Sequence, residues 1–185
     1  MIKIGIKGLA KFMTSSAAQQ RKILRDYKFP DEEGTAQAGY YREARHLVSE
    51  YHRHRHPAEW LRSKAGVLQA TAAALGGRIA TRLRHNARGI QQYATHFPTR
   101  RYDVLAERKL YYHCGNVRVT IVPDLHVREG ERERLLRLEF TKDEPDPAVV
   151  KIISQLMFEA ALHARLAVKS TDVLYVDVGR GRTYK

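Results

Sequence analysis

Apolar and polar residues alternate on both sides of a short charged turn between residues 117 and 142. The turn reads REGERER, and every second residue of VRVTI before it and of LRLEF after it is apolar. This alternation predicts a β-hairpin whose apolar side chains share one buried face. Asp124 stands at the end of the first predicted strand and Glu139 near the end of the second. Because a hairpin places its strands side by side, we expect the two carboxylates to lie close together.

The first 101 residues predict helices. Ser16 and Gln19 have the spacing of a capping box, so a helix should begin there and run to about Lys28. Apolar residues at helical spacing predict a second helix over about residues 36–54, after the acidic DEEG loop. Pro57 is suited to open a third helix, which the pair GG ends, and a fourth is expected over about residues 78–96.

From Tyr102 onward the pattern predicts strands. A strand over residues 102–112 should pair through the Cys114-Gly115-Asn116 turn with the strand that leads to Asp124. Asp146-Pro147 is expected to begin an apolar helix that runs to about residue 166. Residues 172–178 are expected to form a last strand, which a basic tail follows. We therefore predict an α+β or α/β fold in a single domain, residues 1–185. Its helical N-terminal half, residues 1–101, would pack on a small mixed β-sheet with a β-β-β-α-β core, residues 102–185.

The distribution of charge along the chain indicates a polyanionic partner. The chain has a net charge of +13 and a pI of about 10.0. Residues 1–101 hold 19 Lys and Arg against 7 Asp and Glu, whereas the remainder is nearly balanced, with 14 against 13. Such an excess of positive charge in one half of the chain indicates a nucleic-acid partner, and we expect DNA. The alternative is a basic surface that only confers solubility. The candidate phosphate contacts are Arg53, Arg55, Arg78, Arg82, Arg88, Arg100 and Arg101.

Length and composition restrict the class of protein. A chain of 185 residues suits one domain with a core of its own. We expect a cytoplasmic protein and no membrane partner, because no apolar run approaches a membrane span and the N-terminus does not read as a signal peptide. Cys114 is the only cysteine, which excludes an intramolecular disulfide and a cysteine-based zinc cluster.

Two neighbouring carboxylates are costly unless a cation lies between them. Asp124 and Glu139 therefore form a candidate site for Mg²⁺ or Mn²⁺, which bind hard oxygen ligands. The alternative is that Asp124 caps a turn and Glu139 pairs with a neighbouring arginine such as Arg137.

The residues around this pair resemble a known nuclease superfamily. Pro123-Asp124 followed by Glu139-Phe140-Thr141-Lys142 is similar to the core motif of the PD-(D/E)XK nucleases, and Gln155-Leu156-Met157-Phe158 resembles the helix motif of their RecB-like branch. The resemblance implies a restriction-endonuclease-like fold and metal-dependent hydrolysis of DNA. It implies that Asp124 and Glu139 hold the metal, that Lys142 assists the attacking water, and that Gln155 lies near the substrate.

The motif departs from the family pattern at one position. Thr141 stands where the family has lysine, and Lys142 follows one residue later. Two alternative interpretations follow: a catalytically degraded member that binds nucleic acid without cutting it, or a subunit of a larger DNA-processing assembly.

Several other residues have both a functional and an ordinary interpretation. Glu43 and His46 are either additional ligands or a surface pair, and His126 is either a ligand or part of turn packing. Tyr40 and Tyr41 either stack on bases or pack in the core. The alternating run from His52 to His56 is expected to contact the DNA backbone or to form a solvated helix end.

Overall fold

The computed structural model describes residues 2–29 and 39–185 of the chain. In this part of the chain there are six α-helices and eight β-strands. The helices are α1 (Ile6–Thr14), α2 (Ala17–Lys28), α3 (Arg42–Arg53), α4 (Ala58–Ala74), α5 (Gly77–His96) and α6 (Pro147–His163). The strands are β1 (Ile2–Gly5), β2 (Asp103–Val104), β3 (Leu110–Cys114), β4 (Val117–Ile121), β5 (Leu125–Glu129), β6 (Arg132–Glu139), β7 (Val173–Asp177) and β8 (Arg182–Tyr184).

The strands form two mixed β-sheets. In the small sheet, β4 lies between β1, to which it is parallel, and β3, to which it is antiparallel. The large sheet has the order β2-β5-β6-β7-β8, and only β6 and β7 are parallel. Parallel neighbours need a crossover connection, which α6 supplies here. The predicted mixed α/β class is confirmed.

The large sheet has a hydrophobic core on each face. Leu136 and Leu174 face helices α3, α4 and α5, whereas the preceding residues Leu135 and Val173 face α1, α6 and the small sheet. Successive residues of a strand point to opposite faces, so the central strands contribute to both cores. All five residues of β7 are buried. Burial on both faces is typical of the parallel part of a sheet.

A buried asparagine fixes the start of α3 against α5. Asn86 is fully buried, and its Oδ1 accepts a hydrogen bond from the main-chain N–H of Ala44 at 2.8 Å. Its Nδ2 donates to the carbonyls of Tyr40 at 2.7 Å and Arg82 at 2.9 Å. Because α3 has no side-chain cap of its own, Asn86 satisfies one of the N–H groups that a helix start leaves open.

His52 is a core residue. Its ring is 1% exposed, and its Nε2 lies 2.7 Å from the hydroxyl oxygen of Tyr93. Burial, with a smaller contribution from the charges of Arg101 and Arg100, lowers the pKa of His52 to about 3. The prediction that the run beginning at His52 forms a DNA contact or a solvated helix end is therefore wrong for this residue. Its spacing of four from buried Val48 places it on the inner face of α3.

The predicted hairpin over residues 117–142 has a different pairing. Strand β4 ends at Ile121 and pairs in the small sheet, whereas β5 begins at Leu125 and pairs with β6 in the large sheet. Pro123 has no main-chain N–H to donate, so the chain leaves the small sheet before it. Asp124 consequently precedes a strand instead of ending one. The predicted pairing through the Gly115 turn is confirmed, and Gly115 has a φ of +53° that favours glycine. The single strand predicted over residues 102–112 is wrong, because β2 pairs with β5 in the large sheet and β3 begins only at Leu110.

The helix predictions with clear end signals are confirmed. The capping box at Ser16 is present, Pro57 precedes α4, and Asp146 caps α6. The second predicted helix begins at Arg42; its proposed first residues, 36–38, and the DEEG loop lie outside the described residues. Strand β1 and helix α1 were not predicted, and the basic tail forms the edge strand β8. Within the described ranges, no helix is long and apolar enough to cross a membrane.

Candidate functional site

Three carboxylates lie at one end of the large sheet. Leu125 pairs with Leu136, so Asp124, one residue earlier, stands opposite Arg137. Glu139 pairs directly with Asp177 on β7. Paired residues, and residues two apart on one strand, share a face of the sheet. Asp124 and Glu139 therefore occupy the same face, together with Asp177, which the sequence analysis did not single out.

Arginines neutralise Asp124. Its Oδ1 lies 2.8 Å from Nε of Arg45, on α3, and accepts a hydrogen bond of 3.3 Å from Nη1 of Arg137. Its Oδ2 accepts a hydrogen bond of 2.7 Å from the main-chain N–H of Leu138. The side chain is only 6% exposed. Both carboxylate oxygens are thus engaged by protein donors.

Lys7 neutralises Glu139 from the opposite end of the chain. Nζ of Lys7 donates to Oε2 at 2.8 Å, and the hydroxyl of Tyr175 donates to the same oxygen at 3.0 Å. Oε1 accepts a hydrogen bond of 3.3 Å from the main-chain N–H of Thr141. Burial by itself raises the pKa of Glu139, but the charge and hydrogen bond of Lys7, helped by Tyr175 and Arg137, lower it below its usual value. Glu139 is therefore held as a carboxylate.

Tyr175 is held in its protonated form. Burial, and then the charge of Glu139 and the hydrogen bond to it, raise the pKa of the Tyr175 phenol far above its usual value. The phenol therefore acts as a hydrogen-bond donor at any physiological pH.

The residues present do not fit a metal centre in this arrangement. Mg²⁺ requires near-octahedral oxygen ligands, and each oxygen of Asp124 and Glu139 already accepts from a protein group. Across residues 2–29 and 39–185, no group of three or more His, Cys, Asp or Glu side chains has the arrangement of a metal site. Ion pairs with Lys7, Arg45 and Arg137 instead relieve the repulsion that led to the metal prediction.

The other two predicted catalytic residues lie elsewhere. The exposed side chain of Lys142 follows the end of β6 and lines a pocket with Phe140. Gln155 is on the exposed side of α6, where its Nε2 donates to Oε1 of Glu159 at 2.6 Å. The lysine that contacts Glu139 is Lys7, 132 residues away in sequence. No local sequence signal pointed to it.

The seven predicted phosphate-binding arginines divide into three groups. Several are engaged in ion pairs: Arg53 with Glu50 at 2.9 Å, Arg55 with Asp103 at 2.7 Å, and Arg82 with Glu43 at 2.9 Å. Arg78 and Arg88 lie on the exposed side of α5.

The remaining two predicted arginines pack against aromatic rings beside α5. Arg100 donates to Oγ1 of Thr183 at 3.1 Å and lies over the ring of Phe97. Arg101 donates to the hydroxyl of Tyr51 and lies over its ring. Arg101 therefore packs on α3, and Arg100 packs on the residue that follows α5.

An open groove of about 780 Å³ separates α3 from the start of β5. Asp124 lines this groove together with Glu43 and His46, which the sequence analysis considered as additional ligands or a surface pair. Four arginines and three carboxylates line the groove and nearly balance in charge. The arginines are Arg42, Arg45, Arg53 and Arg137, and the carboxylates are Glu43, Glu107 and Asp124.

The ion pair between Lys7 and Glu139 generates a prediction for stability. Lys7→Met should raise the pKa of Glu139 and lower the free energy of unfolding at pH 7 by about 1 kcal/mol, since the lysine is partly exposed. The difference between the two proteins should shrink as the pH falls, because Glu139 is protonated first in the variant and then, below its lowered pKa, in the wild type. Denaturant titrations at a series of pH values measure this difference.

Lys11→Met is the matched control. Lys11 is exposed on the same helix, about one turn from Lys7. Its replacement should change the free energy of unfolding by less than about 0.5 kcal/mol. Equal effects of the two substitutions would show that the contact with Glu139 contributes nothing.

Comparisons with protein-family models, curated proteins and solved structures find no match to this chain. The resemblance to the PD-(D/E)XK nucleases therefore stays a prediction from its motifs.

Proposed function

We propose that this protein binds nucleic acid, most naturally DNA, through the cationic side of α5, and that binding requires no metal ion. The observation that carries this proposal is the composition of α5, which has four arginines and no aspartate or glutamate in 20 residues. Arg82 pairs with Glu43, whereas Arg84 and Arg88 have no ion-pair partner in the described part of the chain. The net charge of the helix is therefore not cancelled on its own surface.

The spacing of arginines along α5 suits a phosphate backbone. Arg78, Arg82 and Arg88 lie on one side of the helix, opposite the buried Ala87 and Ile90. Phosphate contacts of this kind release counterions and give affinity that does not depend on base sequence.

The neutralised acidic pair supports binding without metal. Unpaired carboxylates at the end of the sheet would repel a phosphate backbone, and a divalent ion would be needed to bridge them. Lys7, Arg45 and Arg137 already provide that compensation. The protein can therefore present a cationic surface without a bound ion.

The order of elements supports a relationship to the nuclease fold as part of this proposal. Helix α5 precedes the strands β2, β5 and β6, and α6 then crosses to the parallel strand β7. With the small-sheet strands β3 and β4 left aside, this chain order is the β-β-β-α-β order expected of a restriction-endonuclease-like core. Asp124 directly precedes β5, and Glu139 ends β6. We propose a nuclease-like fold that retains the acidic positions and uses protein cations where active members use metal.

The proposal predicts salt-dependent DNA binding in the presence of EDTA. The logarithm of the association constant should fall linearly with the logarithm of salt concentration, by about 0.9 for each phosphate contacted. The double variant Arg84→Ala, Arg88→Ala should reduce this slope by about 1 to 2. Fluorescence anisotropy of a labelled oligonucleotide at several salt concentrations measures the slope.

Arg62→Ala provides the control for loss of a positive charge. Arg62 pairs with Glu59 at 2.9 Å on α4, so its replacement should leave the slope unchanged. Binding that disappears in EDTA, or a slope that the double variant does not alter, would contradict the proposal.

Metal-dependent cleavage of DNA is the second candidate function. The observation that favours it is the common position of Asp124, Glu139 and Asp177 at one end of three neighbouring strands. In this candidate, a metal ion would require displacement of Lys7 and Arg45 from the carboxylates. Lys7, which contacts Glu139, or Lys142, three residues after it, would then be the lysine that assists the water.

The two candidates predict different results in a cleavage assay. Labelled DNA would be incubated with the wild type and with Asp124→Ala in Mg²⁺, Mn²⁺ or EDTA. We expect no cleavage by either protein, because the acidic pair is already neutralised. Metal-dependent cleavage that Asp124→Ala abolishes would establish the nuclease in its place.

A further inference from the structure

A small pocket lies at the carboxyl ends of the parallel strands β6 and β7. Its volume is about 250 Å³, and four chain segments enclose it: the start of α3, the exposed side of α5 and the segments that follow β6 and β7. Crevices at this end of parallel strands are frequent ligand sites. The side chains that carry the argument are Tyr41, His85, Arg88, Gln92, Lys142 and Arg180. We call this the anion pocket.

The anion pocket is strongly cationic. Arg88, Lys142 and Arg180 line it, and none of the lining residues is an aspartate or glutamate. Arg88 and Lys142 have no ion-pair partner within residues 2–29 and 39–185. This composition distinguishes the pocket from the groove beside α3, where arginines and carboxylates nearly balance.

The protein holds Arg180 in a fixed position. Its Nη1 lies 3.2 Å from Oδ2 of buried Asp177 and 3.2 Å from the carbonyl oxygen of Asp143, and its Nη2 donates to the carbonyl of Lys142 at 3.0 Å. A guanidinium already oriented by three acceptors loses little conformational entropy when it binds an anion.

Two further side chains add hydrogen-bonding capacity. The amide of Gln92 has no hydrogen-bond partner in the described chain, although its side chain is only partly exposed. Nδ1 of His85 lies 2.9 Å from the hydroxyl of Tyr40, which leaves Nε2 for a ligand. Both residues stand on the same side of α5 as Arg88.

A glycine brings α5 close enough to form the pocket. A Cβ atom on Gly89 would lie 2.7 Å from the ring of Phe140, so a larger residue would push the helix away. The close approach sets Arg88 opposite the segment that carries Lys142. The ring of Tyr41 stacks on the ring of Phe140, and the two ring centroids are 5.5 Å apart.

We propose that the anion pocket binds a phosphate monoester. A monoester carries about two negative charges at neutral pH and three acceptor oxygens. These match the two cations without an ion-pair partner in the described chain, Arg88 and Lys142, together with the oriented guanidinium of Arg180, better than a singly charged diester does. This inference rests on the proposed function. On a nucleic acid, the phosphate monoester is the terminal phosphate of a strand. Enclosure by four chain segments favours an end over a continuous backbone.

The test compares one oligonucleotide with and without a terminal phosphate. The 5′-phosphorylated, 3′-phosphorylated and unphosphorylated forms would be titrated at fixed salt, and inorganic phosphate would be used as competitor. We expect one phosphorylated form to bind about tenfold more tightly than the hydroxyl form. Arg88→Ala and Lys142→Ala should reduce this ratio towards one; both side chains are exposed, so the variants should fold.

The variant Arg84→Ala distinguishes binding in the anion pocket from general electrostatic attraction. Arg84 is exposed on α5 but does not line the pocket, so its replacement should weaken all forms equally and leave the ratio unchanged. Equal affinity of the wild type for all forms, or equal ratios in Arg84→Ala and Arg88→Ala, would overturn the proposal and leave the proposed function intact.

A thermal-shift titration with inorganic phosphate separates the two possible failures. If no oligonucleotide binds but phosphate stabilises the wild type and not Arg88→Ala, the pocket is supported and the nucleic-acid function fails. If phosphate stabilises both proteins equally, the pocket is refuted.

Discussion

The structure depends on the neutralisation of three carboxylates at one end of its large sheet. Glu139 is 4% exposed and Asp177 is fully buried, and Asp124 is hardly more accessible. An ionised carboxylate in such a position is strongly destabilising unless a cation and hydrogen bonds compensate it. Each compensating cation comes from a different segment: Lys7 from α1, Arg45 from α3 and Arg180 from the turn after β7. The same contacts therefore neutralise the sheet end and fix the surrounding elements against it.

The enclosed carboxylates contrast with two exposed cations. Asp124, Glu139 and Asp177 are paired, whereas Arg88 of α5 and Lys142 are exposed. Lys7, Arg45, Arg137 and Arg180 hold the three carboxylates, so these ion pairs connect the end of the large sheet to the elements around it.

Sequence reasoning succeeded where a local signal determines the structure. The capping box at Ser16, the proline before α4 and the Asp146-Pro147 pair each fix a helix start through neighbouring residues alone. Period-two alternation likewise identified the strand that ends at Glu139. These features depend on a few adjacent residues, so a single sequence contains them.

The same reasoning failed where distant segments meet. Strand β1 has only four residues and pairs with β4, more than a hundred positions away, and the contact of Lys7 with Glu139 depends on that pairing. The break at Pro123 sends two halves of an apparently continuous strand to different sheets. Asp177 ends the predicted last strand, but only its register with Glu139 gives it a role at the site.

The most direct test of the neutralised acidic pair is a calorimetric titration of Mn²⁺ into the protein without nucleic acid. The present account predicts no saturable binding, because Lys7, Arg45 and Arg137 occupy the carboxylate oxygens. Stoichiometric binding of Mn²⁺ that is lost in Glu139→Gln would contradict it and would show that a metal ion displaces these cations.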